Sequence, residues 1–365
     1  MTSRKIIVIS PAHYEEAIGG AELQIKYLIN TLTNFKNVGI FYITKYYNSP
    51  LKNNNHALFS LKRCPKYKKY RYELFDWVKL LLLLYKIKPD SIYVRVATVY
   101  LAVAVIAKKV LLKDTKVIYN VALASDLTPN TSSANIFDWL ERILFNYGIR
   151  NADIIVVQAK YQQELALRYF KKKSVIIPNF HPMHDFGKKH ATAREISILW
   201  VANIKQSKRP ELFIQLAEKF QDRKMYNFHM IGKLDHSPWA NEIERNLTKT
   251  RNITYHGAQS VSYVNKMMGQ AMFFVNTSKI EGYPNTFIQA MQANAIILSY
   301  EINPDDIFSN RRLGLLCTSI EQMKQAILEY SRQPLKRDKI TDNAYKYVQS
   351  NHSMENAMKL AKLLL

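Results

Sequence analysis

The sequence predicts an α/β protein with two Rossmann-like domains built on parallel sheets. Short β-branched and aromatic segments alternate with longer helical patterns along nearly all of the 365 residues, which is typical of βαβ units. The length is about right for two domains of ordinary size. A polar segment at 180–195, with Pro and Gly but no periodicity, separates two series of strands. We therefore predict domains at 1–185 and 186–340, and helices at 341–365 that pack back on them.

Each predicted domain has its own series of strands. The first series comprises 5–10, 38–44, 91–96, 116–122, 153–158 and 174–179. The second comprises 196–202, 228–232, 253–257, 271–276 and 295–300. Beyond about residue 334 the pattern is wholly helical, which predicts the C-terminal tail.

The composition excludes several classes of protein. The chain has 52 Lys and Arg against 29 Asp and Glu, a net charge of +23, yet 48% of it is hydrophobic, which excludes intrinsic disorder. Cys64 and Cys317 are too few and too far apart for a disulfide framework or a cysteine zinc site. The N-terminal apolar run is shorter than a signal peptide requires. We expect a protein of the reducing cytoplasm.

A basic cluster at 62–71 has six basic and no acidic residues, and an apolar segment rich in Trp and Leu follows at 73–86. That segment is shorter than the roughly 20 residues that span a bilayer. The combination is typical of a peripheral protein on an anionic membrane face. The alternative is a buried helix after a solvated loop. Nucleic-acid binding is disfavoured because no helix-turn-helix, zinc-finger or RNA-binding aromatic motif occurs.

The predicted linker contains His181, His184, Asp185 and His190, residue types that bind metals. Metal ligands need rigid elements and supporting hydrogen bonds, and this segment has no periodic structure. The chain also has no Asp-x-Asp pair. We therefore expect no metal and no cofactor.

Two glycines, Gly19 and Gly20, lie between the first strand and a helix. Glycine at such a turn lets the backbone approach a ligand, and the helix start offers amide groups to an anion. A plain turn without a ligand is the alternative.

A stronger motif follows the strand at 271–276. Pro284 suits the first turn of a helix because it lacks an amide hydrogen. The amides behind it would point to the carboxyl end of the sheet, where they would form a phosphate cradle; they belong to Asn285, Thr286 and Phe287. Glu281 comes before the helix and Gln289 about one turn into it, so both can face one ligand. A helix capped by its own loop is the alternative.

A basic loop follows the strand at 196–202. It carries Asn203, Lys205, Lys208 and Arg209 before a helix that begins at Pro210. These cations suit a diphosphate held at the other helix start, although a charged run is often only a solvated face.

Together GGAE, the KRPE loop and VNTSKIEGYPNTFIQA resemble retaining glycosyltransferases of family 4, of the bacterial surface-polysaccharide type. The resemblance covers nearly the whole chain, including YVRVATVYLA, ASDLTPN and SVIIPNF. It implies the GT-B fold, in which two Rossmann-like domains face each other across a cleft. The N-terminal domain would bind the acceptor and the C-terminal domain the nucleotide-diphosphate sugar.

The resemblance also implies residue roles. Glu281 would contact the transferred sugar, and Gln289 would replace the family's second Glu at the ribose hydroxyls. Lys208 would bind the diphosphate. Further substrate contacts are expected from Tyr283 and the other residues of the EGYPN motif. Asp126 and nearby backbone groups would contact the acceptor, because Ala122 stands near the place where the family often has His.

One phosphate ligand of the family is replaced. Asn203 stands where the family has Arg, so Lys205 or Arg209 would have to restore the charge.

The implied reaction is transfer of a sugar, with retention and without a metal, to a glycan acceptor that we expect to be polyprenyl-linked. Front-face attack would let the leaving phosphate take the acceptor proton, with catalysis by donors arranged around that phosphate. A small soluble acceptor and a non-catalytic nucleotide-sugar-binding protein are the alternatives. We expect only weak, nonspecific binding of nucleic acid.

Overall fold

A computed structural model of the chain describes residues 3–16, 19–46, 56–62, 73–128, 136–184, 186, 195–235 and 237–365. The chain divides into two compact units. Unit 1 comprises Met1–Phe180 and Met354–Leu365, and unit 2 comprises His181–Ser353. Almost all of the basic cluster lies outside the described residues, as do Asp185 and His190.

Unit 1 contains a seven-stranded parallel sheet in the order β3-β2-β1-β4-β5-β6-β7. Its strands are β1 (Arg4–Ala12), β2 (Val38–Tyr46), β3 (Ala57–Lys62), β4 (Ser91–Arg95), β5 (Lys116–Asn120), β6 (Ile154–Val157) and β7 (Val175–Ile176). All five residues of β4 are buried, as expected for a parallel strand covered on both faces. The strand order reverses between β1 and β4, and α/β sheets bind ligands at such a switch point.

Unit 2 contains a six-stranded parallel sheet in the order β10-β9-β8-β11-β12-β13. Its strands are β8 (Ile196–Val201), β9 (Tyr226–Ile231), β10 (Ile253–Tyr255), β11 (Phe273–Asn276), β12 (Ile296–Tyr300) and β13 (Leu315–Cys317). Every residue of β11 is buried. The switch point of this sheet lies between β8 and β11.

Helices connect the strands and end the chain. They are α1 (Gly20–Leu32), α2 (Glu73–Ile87), α3 (Tyr100–Val110), α4 (Ile136–Asn151), α5 (Lys160–Phe170), α6 (Pro210–Glu218), α7 (Pro238–Lys249), α8 (Val261–Gln270), α9 (Asn285–Gln292), α10 (Ile307–Arg311), α11 (Ile320–Arg332), α12 (Pro334–Asn351) and α13 (Glu355–Leu364). Within the described ranges, no helix has both the length and the apolar character that crossing a membrane requires.

The predicted fold class of two Rossmann-like parallel-sheet domains with C-terminal helices is confirmed. The sequence does not predict β3 and β13, which are edge strands. An edge strand pairs on one side only and is often short, so its apolar pattern is weak. The strand predicted at 174–179 is only the two residues of β7, because Pro178 has no amide hydrogen with which to continue the ladder.

The last helix, α13, belongs to unit 1, whereas α12 belongs to unit 2. Leu360 and Leu364 are fully buried in the apolar cluster that also contains the buried face of α1. Ser91 Oγ donates a hydrogen bond to the carbonyl of Leu364 at 2.7 Å, and Lys116 Nζ donates to that of Leu363 at 3.0 Å. The end of the chain therefore completes the core of unit 1.

Truncating Leu360 to Ala is expected to lower the free energy of unfolding of unit 1 by about 2–5 kcal/mol, because it leaves a cavity in a closed core. Lys362→Ala on the exposed side of the same helix is the matched control, with a change below about 0.5 kcal/mol. Urea denaturation with hydrogen exchange resolved by segment measures both. Faster exchange in β8 and β11 alone, with β1 and β4 unaffected, would contradict this assignment.

Candidate active site at the switch point of unit 2

Two loops are joined at the switch point of unit 2, one after β8 and one after β11. The amide of Lys279 donates to the carbonyl of Ser207 at 2.9 Å. Thr277 Oγ1 donates to the carbonyl of Lys208 at 2.6 Å, and it accepts a hydrogen bond from Trp200 Nε1 at 2.9 Å. These contacts place the KRPE loop and the EGYPN motif next to each other.

Arg209 connects the same two loops through hydrogen bonds of its guanidinium. Its Nε donates to the carbonyl of Thr277 at 2.7 Å, and one Nη donates to that of Ser278 at 3.1 Å. The guanidinium also pairs with Glu301 at 3.0 Å and lies 4.8 Å from the ring centroid of Tyr300. Arg209 adopts a left-handed backbone, φ 47°, which costs free energy that these contacts offset.

The expectation that Lys205 or Arg209 restores a missing phosphate charge therefore changes. The guanidinium of Arg209 is committed to protein carbonyls and to Glu301, so it is structural. Lys205 and Asn203 are exposed on the same loop. Of the two, only Lys205 can supply a positive charge.

Lys208 and Glu281 form an ion pair, Nζ to Oε1. Lys208 ends a short 3₁₀ turn at Gln206–Lys208, and Glu281 belongs to the loop after β11. The side chains are 21% and 14% exposed, so the pair is shielded from water yet reachable from the surface. The two residues predicted to carry the chemistry are in direct contact.

The start of α9 differs in detail from the prediction. Pro284 precedes the helix with an extended backbone, and α9 begins at Asn285. The amide of Phe287 already donates to the carbonyl of Pro284 at 3.0 Å, and the Phe287 ring is fully buried. The predicted phosphate cradle is thus reduced to the amides of Asn285 and Thr286, both half-buried residues.

Gln289 and Tyr283 lie behind the helix start. Gln289 is 5% exposed, and its Nε2 donates to Oδ1 of Asn265 on α8 at 2.7 Å. The ring of Tyr283 lies 4.4 Å from that of His352, and burial raises the Tyr283 pKa well above its usual value. Tyr283 therefore contributes to the core, whereas Gln289 is held by a partner that sequence reasoning missed.

Unit 1 presents the predicted Gly19–Gly20 turn at the start of α1. Gly19 precedes the helix, and a Cβ on it would lie 2.2 Å from Oε2 of Glu22. The Glu22 carboxylate thus lies against the turn, where the helix dipole favours negative charge. An anionic ligand at Gly19 and Gly20 would have to replace this carboxylate.

Asp126 is predicted to contact an acceptor, and in the structure its carboxylate is bonded within the turn after β5. Its Oδ2 accepts hydrogen bonds from the amides of Ala122 and Leu123 at 3.1 and 3.0 Å, and from the Tyr119 hydroxyl at 3.1 Å. The residue is buried, and this burial raises its pKa. Asp126 fixes the turn after β5 and does not face an open surface.

The switch point of unit 1 has a cavity of about 160 Å³ that sequence reasoning did not find. Its lining includes Pro11, Lys45, Trp77, Thr98, Tyr100 and Glu141. The indole Nε1 of Trp77 is buried and has no hydrogen-bond partner among the described residues. Residues from β1, β2, α2, α3, α4 and the loop between β4 and α3 form this cavity, so no local sequence motif predicts it.

Two histidines lie near the same edge. His13 Nε2 is 3.0 Å from His56 Nε2, and both side chains are buried. Burial lowers the His13 pKa to about 4 and lowers that of His56 as well. Both rings are therefore neutral at physiological pH, and this close pair carries no repulsive charge.

No group of three His, Cys, Asp or Glu side chains within the described part of the chain is arranged to hold a metal ion. His181 and His184 lie together, with ring centroids 5.5 Å apart. Burial lowers the His181 pKa to about 4.

Comparison with known proteins shows what unit 2 is similar to. Residues 183–347 match the family model for glycosyl transferases group 1. The chain is 21% identical over 175 residues to glycosyltransferase 1 domain-containing protein 1 of Xenopus tropicalis, an alignment that covers 47% of this chain and 51% of that protein. The match thus spans about half the length of this curated relative.

Solved structures share the fold over nearly the whole chain. Sucrose-phosphate synthase from Thermosynechococcus elongatus superimposes with a TM-score of 0.78 at 16% identity, covering 99% of this chain and 98% of that one. Anabaena Alr3699/HepE in complex with UDP-glucose gives 0.76 at 13% identity and covers 98% of each chain. The likeness to these structures supports the GT-B type of fold.

Replacing Arg209 with Lys is expected to lower the stability of unit 2 by about 1–3 kcal/mol, because an ammonium cannot bond two carbonyls with a planar fork. Urea denaturation measures the change. Arg223→Lys, on an exposed turn, serves as the control and is expected to change stability by less than about 0.5 kcal/mol. An Arg209→Lys protein as stable as the unaltered chain would show that the fork is dispensable.

Proposed function

We propose that this protein is a retaining, metal-independent glycosyltransferase that moves a sugar from a nucleotide-diphosphate sugar to a glycan acceptor. The acceptor we propose is polyprenyl-linked, and the role is synthesis of a surface polysaccharide on the cytoplasmic face of a membrane. Lys208 and Glu281, in contact beside the start of α9, support the donor side of this proposal most directly. The UDP-glucose bound to the Anabaena relative agrees with a nucleotide-sugar donor.

Lys208 supplies the positive charge for the leaving group. In the reaction the bond between the anomeric carbon and the diphosphate oxygen breaks, and negative charge grows on that oxygen. An ammonium and helix-start amides beside the oxygen stabilise the transition state more than the ground state. Lys208 with the amides of Asn285 and Thr286 forms such a set, so no metal is needed to neutralise the diphosphate.

Glu281 orients the transferred sugar in this mechanism. When a diphosphate approaches Lys208, it competes for the ammonium that Glu281 holds, and the carboxylate becomes available to sugar hydroxyl groups. The acceptor oxygen forms the new bond on the face that the diphosphate leaves, and its proton passes to the departing phosphate oxygen. These reaction steps balance charge without a protein nucleophile and retain the anomeric configuration.

The acceptor is assigned to unit 1 and its switch-point cavity. The half-buried Trp77 offers aromatic surface, while Thr98, Lys45 and Glu141 bring hydroxyl, cationic and anionic groups. An aromatic wall with a few polar groups suits a sugar, whose ring has apolar faces and a polar rim. This assignment replaces Asp126 as the main contact on the acceptor side.

Lys208→Ala and Glu281→Ala are each expected to lower kcat/KM about 10²- to 10³-fold, the usual effect of losing one preorganised transition-state contact. Turnover is measured with a panel of UDP- and GDP-sugars, with and without EDTA, and NMR reads the anomeric configuration of the product. Lys219→Ala and Glu218→Ala, exposed at the far end of α6, are the matched controls and keep wild-type turnover.

Several outcomes would contradict the proposal in different ways. Turnover retained in Lys208→Ala would remove this residue from the site. Donor binding without transfer or hydrolysis would indicate a non-catalytic nucleotide-sugar-binding protein. Inverted product or loss of activity in EDTA would overturn the proposed mechanism.

The membrane part of the proposal rests on the outer surface of unit 1. On α2, Val78, Leu82 and Tyr85 are 54, 63 and 54% exposed; their spacing places them on one face. On α4, Ile136 and Trp139 are 72 and 51% exposed. Because α3 packs against both helices, these apolar faces belong to one layer. Exposed lysines at 79, 86, 88 and 109 accompany them, and apolar side chains with lysines suit an anionic bilayer surface.

Replacing Leu82 with Asp is expected to reduce flotation of the protein with vesicles that contain phosphatidylglycerol, because a carboxylate is repelled by the surface and loses apolar contact. Leu335→Asp is the matched control, since Leu335 is 86% exposed but lies in unit 2. Flotation should weaken with salt and with neutral lipid. Wild-type protein that fails to float at low salt would contradict the membrane part of the proposal and favour a soluble acceptor.

A further inference from the structure

Three polar side chains in unit 2 form a hydrogen-bonded chain. Nε2 of Gln289 on α9 donates to Oδ1 of Asn265 on α8 at 2.7 Å. Nδ2 of Asn265 lies 3.2 Å from Nε2 of His184. Gln289 is buried and the other two are half-buried. His184 is 81 residues from Asn265 in the sequence, so only the folded unit assembles this chain.

The direction of every bond in this chain follows from the first one. An amide has one accepting oxygen and one donating nitrogen. Since Asn265 accepts through its oxygen, its nitrogen must donate, and His184 Nε2 must accept. An imidazole nitrogen that accepts carries no proton, so this arrangement places the ring proton of His184 on Nδ1. At the other end, Gln289 uses its nitrogen and thereby has its oxygen Oε1 for a different partner.

The histidine end of the chain is anchored. The ring of His184 lies edge-on to that of His181, and the amide of His181 donates to the carbonyl of His352 at 3.0 Å. One residue before His184, the Met183 sulfur accepts a hydrogen bond from Gln292 Nε2 at 3.3 Å. The segment that carries His184 is thereby held to α9 itself, so the orientation of Asn265 has a fixed reference.

We infer that Asn265 and His184 are positioning residues that hold the Gln289 amide with its oxygen toward the ribose diol of the nucleotide. This inference rests on the proposed function. A ribose hydroxyl donates to Oε1 as it would to a carboxylate, but no charge has to be buried. Without the chain, the amide of Gln289 can turn over and present its nitrogen instead, which reduces the time spent in the binding orientation.

The hydrogen-bonded chain also explains why residue 289 carries an amide. If residue 289 were Glu, its carboxylate oxygen would face the amide oxygen of Asn265. Both atoms are acceptors, so they could not form a hydrogen bond. Asn265 would then have to rotate and donate to the carboxylate, which would turn its own oxygen toward His184. His184 would in turn have to carry a proton on Nε2. Glutamine at 289 is the choice that matches the present directions of all three groups.

The protonation pattern is tested first, without any ligand. Long-range ¹H–¹⁵N NMR of the full-length protein is expected to show His184 with an unprotonated Nε2. Gln289→Glu is expected to move the proton to Nε2. When Asn265→Leu breaks the chain, adding Gln289→Glu to it is expected to leave the His184 signals unchanged.

Ribose recognition is tested with UDP and 2′,3′-dideoxy-UDP by calorimetry, with the GDP pair in parallel. Asn265→Leu is expected to reduce the preference for the ribose form roughly 3- to 10-fold, about the contribution of one hydrogen bond. Asn265→Asp is expected to keep the preference, because its carboxylate still accepts from Gln289, while His184 gains a proton on Nε2. Asn241→Leu, an exposed position on α7, is the control.

The outcomes separate the two proposals. Wild-type protein that binds neither nucleotide overturns the proposed function together with this inference. Nucleotide binding whose ribose preference is the same in Asn265→Leu overturns the positioning role alone. A His184 ring with Nε2 protonated in the unaltered protein does so as well, because it reverses the direction of the chain.

Discussion

The guanidinium of Arg209 is the contact on which the site in unit 2 depends. It bonds the carbonyls of Thr277 and Ser278, pairs with Glu301 and covers Tyr300. These partners stand at the ends of β11 and β12, while Arg209 itself follows β8. One planar group therefore connects the carboxyl ends of three neighbouring strands. A point charge such as Lys could not bond several carbonyls in one plane, and the loops that carry the reactive groups would lose their common support.

Neighbouring cations of the KRPE loop have separate tasks for this reason. The guanidinium of Arg209 is bonded to protein carbonyls and to Glu301. Lys208, one residue earlier, pairs with Glu281, and Lys205 is exposed. The net charge of +23 thus says little about the site, because burial and partners decide which cation can meet a ligand.

Acidic side chains occupy both places where the sequence predicts a bound anion. Glu281 holds Lys208 in unit 2, and Glu22 lies against Gly19 in unit 1. A half-buried cation or helix start that lacks a partner is costly because it loses water without gaining a counter-charge. The protein's own carboxylates supply this counter-charge, and under the proposed function a diphosphate would compete for the same positions.

Local chemistry made much of the protein predictable. Runs of buried β-branched residues and alternating helices indicate two parallel sheets, and a Pro-initiated helix after a strand indicates the switch-point motif with Glu281. The edge strands β3 and β13 were not predicted, because their apolar patterns are weak. The burial of Asp126 and Tyr283 was not predictable, because a polar or aromatic residue in a loop looks the same in sequence whether it faces solvent or the core.

The sequence by itself determined the class of fold, the order of its central strands and the two loops of the candidate site, since propensity and hydrophobic period act over a few residues. Only the tertiary structure decided which polar side chains are held by other parts of the protein and which can contact a ligand. Arg209 meets its carbonyl partners across 68 and 69 residues, and Asn265 meets Gln289 across 24. Hydrogen-bond direction and burial depend on such distant partners, and no local pattern encodes them.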